Sequence, residues 1–169
     1  MFELQKTPEI QELINITKSN SGVSGPKLAM AHIELGKALG EQMVGFDPED
    51  TTIVAIMRGG IFFAEGMYFS LGCKFQVYDP KNEVFKRPAT KQVILVDSVI
   101  NTGKTLQKIC DQDMSVACCV INEKAVPLFE NRLFTVRVSQ NSFVGNNVLK
   151  QVGSVGPDTT MRLFNQLSY

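Results

Sequence analysis

The chain of 169 residues contains no tryptophan, a single histidine and only four cysteines. The cysteines, at positions 73, 110, 118 and 119, show no Cys-x-x-Cys pair and no spacing typical of a zinc site. We therefore expect reduced thiols, buried in the case of Cys118 and Cys119, which lie in an apolar run. His32 lies alone in a helical pattern, so the sequence does not support a histidine-based catalytic triad.

Charge of one sign and long apolar runs are also lacking. Lysine plus arginine and aspartate plus glutamate are both 17, so nucleic acid is not an expected partner. No apolar run approaches the roughly 20 residues that span a membrane, and residues 1–6 do not resemble a signal peptide. We expect a cytoplasmic protein that folds as a single domain over residues 1–169, since 44% hydrophobic residues suffice for a substantial core.

Short apolar runs alternate with amphipathic segments along the chain. Strands are predicted at 51–57, 75–78, 93–97, 116–121 and 133–138. Helices are predicted at 8–18, from about 27 to 44, and at 61–71, 105–112 and 125–131, with a helical or coil end at 161–167. This alternation predicts an α/β fold with a parallel sheet and helices on both faces. Ligands of such folds bind beyond the carboxyl ends of the strands.

Residues 93–105 are the most informative segment. The apolar run Val-Ile-Leu-Val ends at Asp97, and a small polar loop containing Gly103 leads into the predicted helix. Such a strand–loop–helix junction is typical of a phosphate site. It is not a Walker A loop, because that motif requires glycine where Ser98 stands.

The same segment resembles the phosphoribosyl pyrophosphate (PRPP) motif of type I phosphoribosyltransferases. That motif is an apolar strand, one or two acidic residues, a short apolar stretch and then Thr-Gly. The resemblance implies that Asp97 is catalytic, faces the ribose hydroxyls and lies near a metal. It also implies that the 5′-phosphate binds the loop consisting of Asn101, Thr102, Gly103, Lys104 and Thr105.

A second segment, residues 55–61, reads Ala-Ile-Met-Arg-Gly-Gly-Ile and follows a predicted strand. Turn geometry alone explains paired glycines. However, the segment is similar to the pyrophosphate loop of the uracil phosphoribosyltransferase branch, Pro-Ile-Leu-Arg-Ala-Gly-Leu. The resemblance implies that Arg58, Gly59 and Gly60 bind pyrophosphate and that Arg58 takes part in catalysis. In the connection 79–92, Lys86 and Arg87 could then close over the pyrophosphate.

The C-terminal segment 155–164 reads Val-Gly-Pro-Asp-Thr-Thr-Met-Arg-Leu-Phe. It resembles the tail Gly-Leu-Gly-Asp-Ala-Gly-Asp-Arg-Leu-Phe of the uracil branch, although Met161 stands where that tail has its second aspartate. The resemblance implies that Val155, Gly156 and Asp158 contact the base and ribose as part of a hood. The alternative is a packing tail, in which Arg162 pairs with an acid and the residues after it fill the core.

These resemblances together imply an enzyme that transfers 5-phosphoribose from PRPP to a nucleobase and releases pyrophosphate. Uracil is the best candidate base, which would place the reaction in pyrimidine salvage. Mg²⁺ bound with PRPP and a homodimer are implied by the resemblance alone. Two alternatives stay open on the same fold: a regulator that senses PRPP or a nucleotide, and a homologue that has lost catalysis.

Overall fold

A six-stranded parallel sheet forms the centre of the protein in a computed structural model that describes residues 1–168, so that Tyr169 lies outside the described residues. The strand order is β1-β6-β5-β4-β2-β3. The strands are β1 (Phe2–Glu3), β2 (Thr51–Ile56), β3 (Lys74–Tyr78), β4 (Gln92–Ile100), β5 (Ser115–Asn122) and β6 (Leu133–Ser139). The helices are α1 (Pro8–Thr17), α2 (Pro26–Gln42), α3 (Ile61–Leu71), α4 (Lys104–Gln107) and α5 (Thr159–Leu163). A separate two-stranded sheet joins β7 (Val144–Asn146) to β8 (Val155–Pro157).

The central strands are buried on both faces, as the continuous apolar runs predict. Every residue of β2 is buried, and so are residues 93–96 of β4. On one face, α1, α2 and α3 cover a core that includes Ile53, Ile94 and Val136. On the other face, α4 and short 3₁₀ turns cover a second core around Leu95 and Phe129. The predicted α/β architecture with helices on both faces is confirmed.

Glycines bring α2 and α3 into backbone contact. A Cβ atom at Gly66 would lie 2.0 Å from the Ile33 carbonyl oxygen, and one at Gly36 would lie 2.2 Å from the Phe63 carbonyl oxygen. No larger residue fits at these crossings without displacing a helix. This close packing holds α3, and with it the loop that precedes α3, against α2.

The predicted helix 61–71 is confirmed with its C-terminal glycine, since Gly72 takes the left-handed conformation at φ 63°. The predicted helix 105–112 is wrong in length: α4 ends at Gln107, and β4 continues three residues beyond Asp97. Only Leu106 of α4 is buried, so tertiary packing supports little more than one turn. The predicted helix 125–131 is replaced by 3₁₀ turns, because Pro127 removes a backbone donor from it.

The C-terminal segment returns over the carboxyl ends of the central strands. The pair β7–β8 leads directly into α5, whose Leu163 packs with Leu28 and Ala29 of α2 in a third apolar cluster. Within residues 1–168, no helix combines the length and apolar character required to cross a membrane.

Candidate functional site

A cavity of about 750 Å³ lies at the carboxyl ends of β2, β4, β5 and β6. Its walls include the loop after β2, residues 97–99 and Asn101 after them, the ends of β5 and β6, and the segment 157–162. Five predicted site residues line it: Arg58, Gly59, Asp97, Asn101 and Asp158. The topology therefore brings together parts of all three segments identified in the sequence.

The loop 58–60 packs tightly against the middle of β4, at Val96. A Cβ atom at Gly60 would lie 2.5 Å from the Val96 carbonyl oxygen and 2.8 Å from that of Ile56. Gly60 is thus buried beneath the cavity, whereas Gly59 lines it. A Cβ atom at Gly59 would lie 3.5 Å from Asp97 Oδ1. Because glycine has no side chain, the backbone at position 59 stays open directly beside the carboxylate.

Arg58 lies at the rim of this loop and is exposed. Its Nη2 donates a hydrogen bond to Gln166 Oε1 at 2.9 Å, and its guanidinium lies 4.9 Å from the centre of the Phe164 ring. The C-terminal residues therefore hold the Arg58 cation at the cavity edge. The Met57–Arg58 peptide bond is cis.

Asp97 provides the carboxylate on the floor of the cavity. Its Oδ1 accepts a hydrogen bond from the Ser98 backbone N–H at 2.7 Å. Burial raises the pKa of Asp97 to about 7, although the hydrogen bonds from Ser98 and Val99 act in the opposite direction. The group therefore changes charge near neutral pH, which is typical of a carboxylate that meets its ligand in a desolvated site.

The loop 101–105 lies beside the cavity, with only Asn101 lining it. Gly103 has φ 70°, and a Cβ atom there would lie 2.9 Å from Leu128 and 3.0 Å from Phe129. Thr102, Lys104 and Thr105 are exposed. The loop is thus shaped by Gly103 packing on the second core, and its polar side chains are free to meet a ligand.

The tail segment both lines the cavity and packs against the rest of the protein. Asp158 lines the cavity, and its Oδ1 also accepts a hydrogen bond from the Met161 N–H at 2.8 Å, which caps α5. Val155 and Gly156 belong to β8, where Gly156 is buried against the Phe143 ring. Of the residues expected to contact the base, only Asp158 faces the cavity here.

Within the described residues Arg162 pairs with no acid, contrary to the packing alternative. It is buried, and it donates to the backbone carbonyls of Thr17, Lys18 and Val23 at 2.9–3.2 Å and to Ser21 Oγ at 3.1 Å. Burial lowers the pKa of Arg162. The side chain fastens α5 to the loop between α1 and α2. It therefore also positions the segment 157–162, which lines the cavity.

Sequence reasoning missed several polar residues on the cavity wall, among them His32, Ser98 and Arg137. His32 Nδ1 lies 2.9 Å from the Leu28 carbonyl oxygen. Burial lowers the pKa of His32 to about 4, and the nearby Arg162 and Arg137 also act to lower it, so the ring is neutral at pH 7. The available signal for Arg137 was a charged residue at the carboxyl end of a predicted strand.

The connection between β3 and β4 contributes Asp79, Lys81 and Asn82 to the cavity wall. Arg87 points elsewhere, with ion pairs of 3.1 Å to Asp111 and 2.6 Å to Asp113. These contacts pin the second half of the connection beside α4. The structure therefore does not show Arg87 closed over the cavity, as the sequence analysis expected.

Three carboxylates, those of Asp79, Asp97 and Asp158, line the cavity. Within the part of the chain that the structure describes, no group of three or more histidine, cysteine or acidic residues could hold a metal ion by itself. Mg²⁺ commonly uses one or two protein carboxylates together with substrate phosphates and water. The acidic residues present thus fit a magnesium ion that arrives with a phosphorylated ligand.

Similar folds occur among solved structures. The chain is 17% identical to AQ2163 from Aquifex aeolicus, with a TM-score of 0.64 over 82% of this chain and 88% of that one. It is 16% identical to TT1426 from Thermus thermophilus, with a TM-score of 0.51 over 81% and 98% of the two chains. For the purine phosphoribosyltransferase from Pyrococcus horikoshii the identity is 23% and the TM-score 0.50, over 64% and 82%.

No protein-family model and no curated protein sequence matches the chain. At these identities the structural likeness establishes the fold. It confirms the predicted type I phosphoribosyltransferase-like fold and does not separate the uracil branch from the others.

Proposed function

We propose that the protein transfers 5-phosphoribose from PRPP to a nucleobase and releases pyrophosphate. One observation carries this proposal: the open backbone at Gly59 lies directly beside the Asp97 carboxylate in the cavity. A pyrophosphate leaving group needs donors and positive charge, and the sugar that it leaves needs a carboxylate. The loop after β2 supplies the donors and β4 supplies the carboxylate, and these two strands are neighbours in the sheet.

Each part of PRPP has a counterpart in this arrangement. Backbone groups of Gly59 with the Arg58 cation would bind the pyrophosphate, while Gly60, whose N–H donates to the Ile56 carbonyl oxygen at 2.9 Å, would support the loop from beneath. Asp97 would accept hydrogen bonds from the ribose hydroxyls, and the loop 101–105 would bind the 5′-phosphate. The bond from C1 of ribose to pyrophosphate breaks, the bond from C1 to the base nitrogen forms, and the proton of that nitrogen is lost.

Asp97 acts through electrostatics, since positive charge develops on the ribose ring as pyrophosphate leaves. The carboxylate must be ionised to stabilise that charge, and the pKa of about 7 makes its ionisation depend on pH in the neutral range. The donors around it are held by backbone packing, so they need little reorganisation during the reaction. Mg²⁺, when bound with PRPP, would neutralise part of the phosphate charge, and Asp97 is the carboxylate best placed to approach it.

For the acceptor we propose uracil, within pyrimidine salvage, from the likeness of the residues around Arg58 and Asp158 to the uracil branch. Asp158 carries the carboxylate of the tail segment that lines the cavity, and we assign it to the base or ribose, whereas Val155 and Gly156 would support it from β8. We also propose that the chain acts as a single domain in a homodimer.

The direct test is pyrophosphate release from PRPP and Mg²⁺ with uracil, hypoxanthine, guanine, xanthine, adenine and orotate offered separately. Asp97→Asn serves as the inactive control. Release that depends on one base or a related set supports the transferase. Tight PRPP binding without release for any base would instead support a PRPP sensor or a homologue that has lost catalysis.

A further inference from the structure

Two buried polar atoms of the described residues have no hydrogen-bond partner, and both belong to residues on the cavity wall. They are Ser98 Oγ and Arg137 Nε. Ser98 is only 1% exposed. Buried donors without partners cost free energy, so they are rare unless a ligand completes them. Their presence on one cavity wall indicates a place where a ligand accepts hydrogen bonds.

Arg137 of β6 and Arg162 of the C-terminal segment both line the cavity, but they differ in their hydrogen bonds. Arg162 donates to backbone carbonyls and to a serine hydroxyl. Arg137 is half-buried, forms no ion pair with any carboxylate of the described residues, and its buried Nε donates to nothing. The guanidinium group of arginine keeps its positive charge in proteins. A guanidinium with a buried donor that lacks an internal partner therefore fits an external acceptor of hydrogen bonds.

The position of Arg137 separates it from the expected PRPP contacts. In the sheet Arg137 lies beside Val120, which lies beside Val99 of β4, so Arg137 is two strands away from β4. Two strand spacings are about 10 Å. Moreover, Gly103 of the loop 101–105 packs on Leu128 and Phe129 on one face of the sheet.

Arg137, by contrast, lies near His32 and Cys119, which belong with the opposite face. With pyrophosphate and 5′-phosphate assigned to the loops after β2 and β4, the end of the cavity beside β6 is left for the other substrate.

We infer that Arg137 recognises an oxygen atom on the acceptor base, with the Ser98 hydroxyl as a separate donor on the β4 side of the same cavity, which restricts the acceptor to oxo-nucleobases that carry a ring carbonyl or a carboxylate. This inference rests on the proposed transferase function. The guanidinium and the serine hydroxyl supply donors, and a carbonyl or carboxylate oxygen accepts them. Uracil, hypoxanthine, guanine, xanthine and orotate present such oxygens. Adenine carries an amino donor where the oxopurines carry their oxygen, so that group cannot accept a hydrogen bond from the guanidinium.

The test compares Arg137→Met, Arg137→Lys and Ser98→Ala with the exposed helical control Lys27→Met. For Arg137→Met we expect the KM for the accepted base to rise about 10- to 100-fold, while the KM for PRPP changes less than twofold. The KM of Arg137→Lys for the base should lie between those of the wild type and Arg137→Met, because lysine keeps the positive charge but lacks the planar guanidinium. The wild type should not use adenine.

A stability measurement separates recognition from a structural role. Since the Arg137 Nε is buried without a partner, Arg137→Met should raise the melting temperature of the unliganded protein by roughly 2–4 °C. A residue needed for folding would lower it. An unchanged KM for the base, a KM for PRPP that rises equally, or efficient use of adenine would each overturn the inference.

The inference and the proposed function can fail separately. If the wild type releases no pyrophosphate with any base, the transferase proposal fails, and calorimetric titration of uracil and orotate into wild type and Arg137→Met decides the inference. Binding that Arg137→Met loses supports oxygen recognition at this position. The absence of binding to the wild type overturns it.

Discussion

Gly60 packs against Val96 so closely that a Cβ atom at position 60 would lie 2.5 Å from the Val96 carbonyl oxygen. The contact fastens the loop after β2 to β4 at Val96, one residue before Asp97. The two halves of the proposed PRPP site are therefore held in register by a backbone contact and not by side chains.

Gly60→Ala and Gly59→Ala should have different consequences. The Cβ at position 60 meets two backbone carbonyls that cannot move cheaply, so Gly60→Ala should lower the free energy of unfolding by roughly 1–3 kcal/mol. At position 59 the nearest atom is Thr160 Oγ1 at 3.1 Å, on a side chain that can rotate. Gly59→Ala should therefore keep most of the stability and weaken PRPP binding. Urea unfolding and PRPP titration measure the two effects, and equal stability losses would contradict this assignment.

Asp97→Asn should reduce turnover about 100-fold or more, because the neutral amide cannot stabilise the charge on the ribose. For the wild type, kcat/KM should rise between pH 6 and 8 as the carboxylate ionises, given its pKa of about 7. A pH-independent rate in this range, or full activity of the variant, would remove Asp97 from the site.

The same carboxylate should also make stability depend on pH. Its pKa is raised from 3.8 to about 7 in the folded protein, so the folded state binds more protons than the unfolded state between these values. The wild type should lose up to about 4 kcal/mol of unfolding free energy from this group as pH rises from 4 to 8. Asp97→Asn should lack this component, so the variant should become the more stable protein above pH 7. Chemical denaturation at pH 5 and pH 8 tests this, and parallel pH profiles would refute it.

Gly103→Ala can be compared with Gly22→Ala, since the two glycines have nearly equal φ values of 70° and 71°. Both substitutions place a side chain in the left-handed region. Only at Gly103 would the new Cβ also meet Leu128 and Phe129, whereas nothing lies within 4 Å of it at Gly22. Gly103→Ala should therefore lower the melting temperature more and weaken PRPP binding, which Gly22→Ala should leave unchanged. Identical shifts in the two variants would mean that packing at Gly103 is unimportant.

Asp158→Ala and Asp158→Ser separate capping from ligand binding. Asp158→Ala removes the oxygen that accepts from Met161 N–H, which should cost about 1 kcal/mol of stability. Serine keeps a capping oxygen and removes the carboxylate, so Asp158→Ser should be nearly as stable as the wild type. If Asp158 contacts the base or ribose, both variants should raise the KM for the base. A normal KM in Asp158→Ser would confine the residue to capping.

Much of the fold could be predicted from local patterns. Helix 61–71 ends at a glycine that takes the left-handed conformation, and the strands around Ile53, Ile94 and Val116 follow from their continuous apolar runs. Prediction failed where local patterning is weak. The segment after Thr105 has helix-forming residues, but only Leu106 is buried, so the helix ends after four residues.

The candidate site divides in the same way. Asp97, Arg58 and Gly59 could be predicted, because each follows an apolar strand and belongs to a motif readable along the chain. Arg137, Ser98 and His32 were not predicted, because a single polar residue in a strand or helix, even a charged one near a strand end such as Arg137, does not show whether its partners lie inside the protein. The role of each of these side chains depends on the residues that contact it in the folded protein.

The amino-acid sequence by itself determined the parallel α/β fold and the strand ends where a phosphorylated ligand would be bound, since apolar runs and glycine turns act over a few residues. Only the tertiary structure decided which side chains meet in the cavity. Strands distant in sequence become neighbours in the sheet, so that β6 brings Arg137 to the cavity while α5 ties Arg162 to the loop between α1 and α2. Whether a buried donor is paired depends on those long-range contacts, and that pairing separates the structural arginine from the one left to meet a ligand.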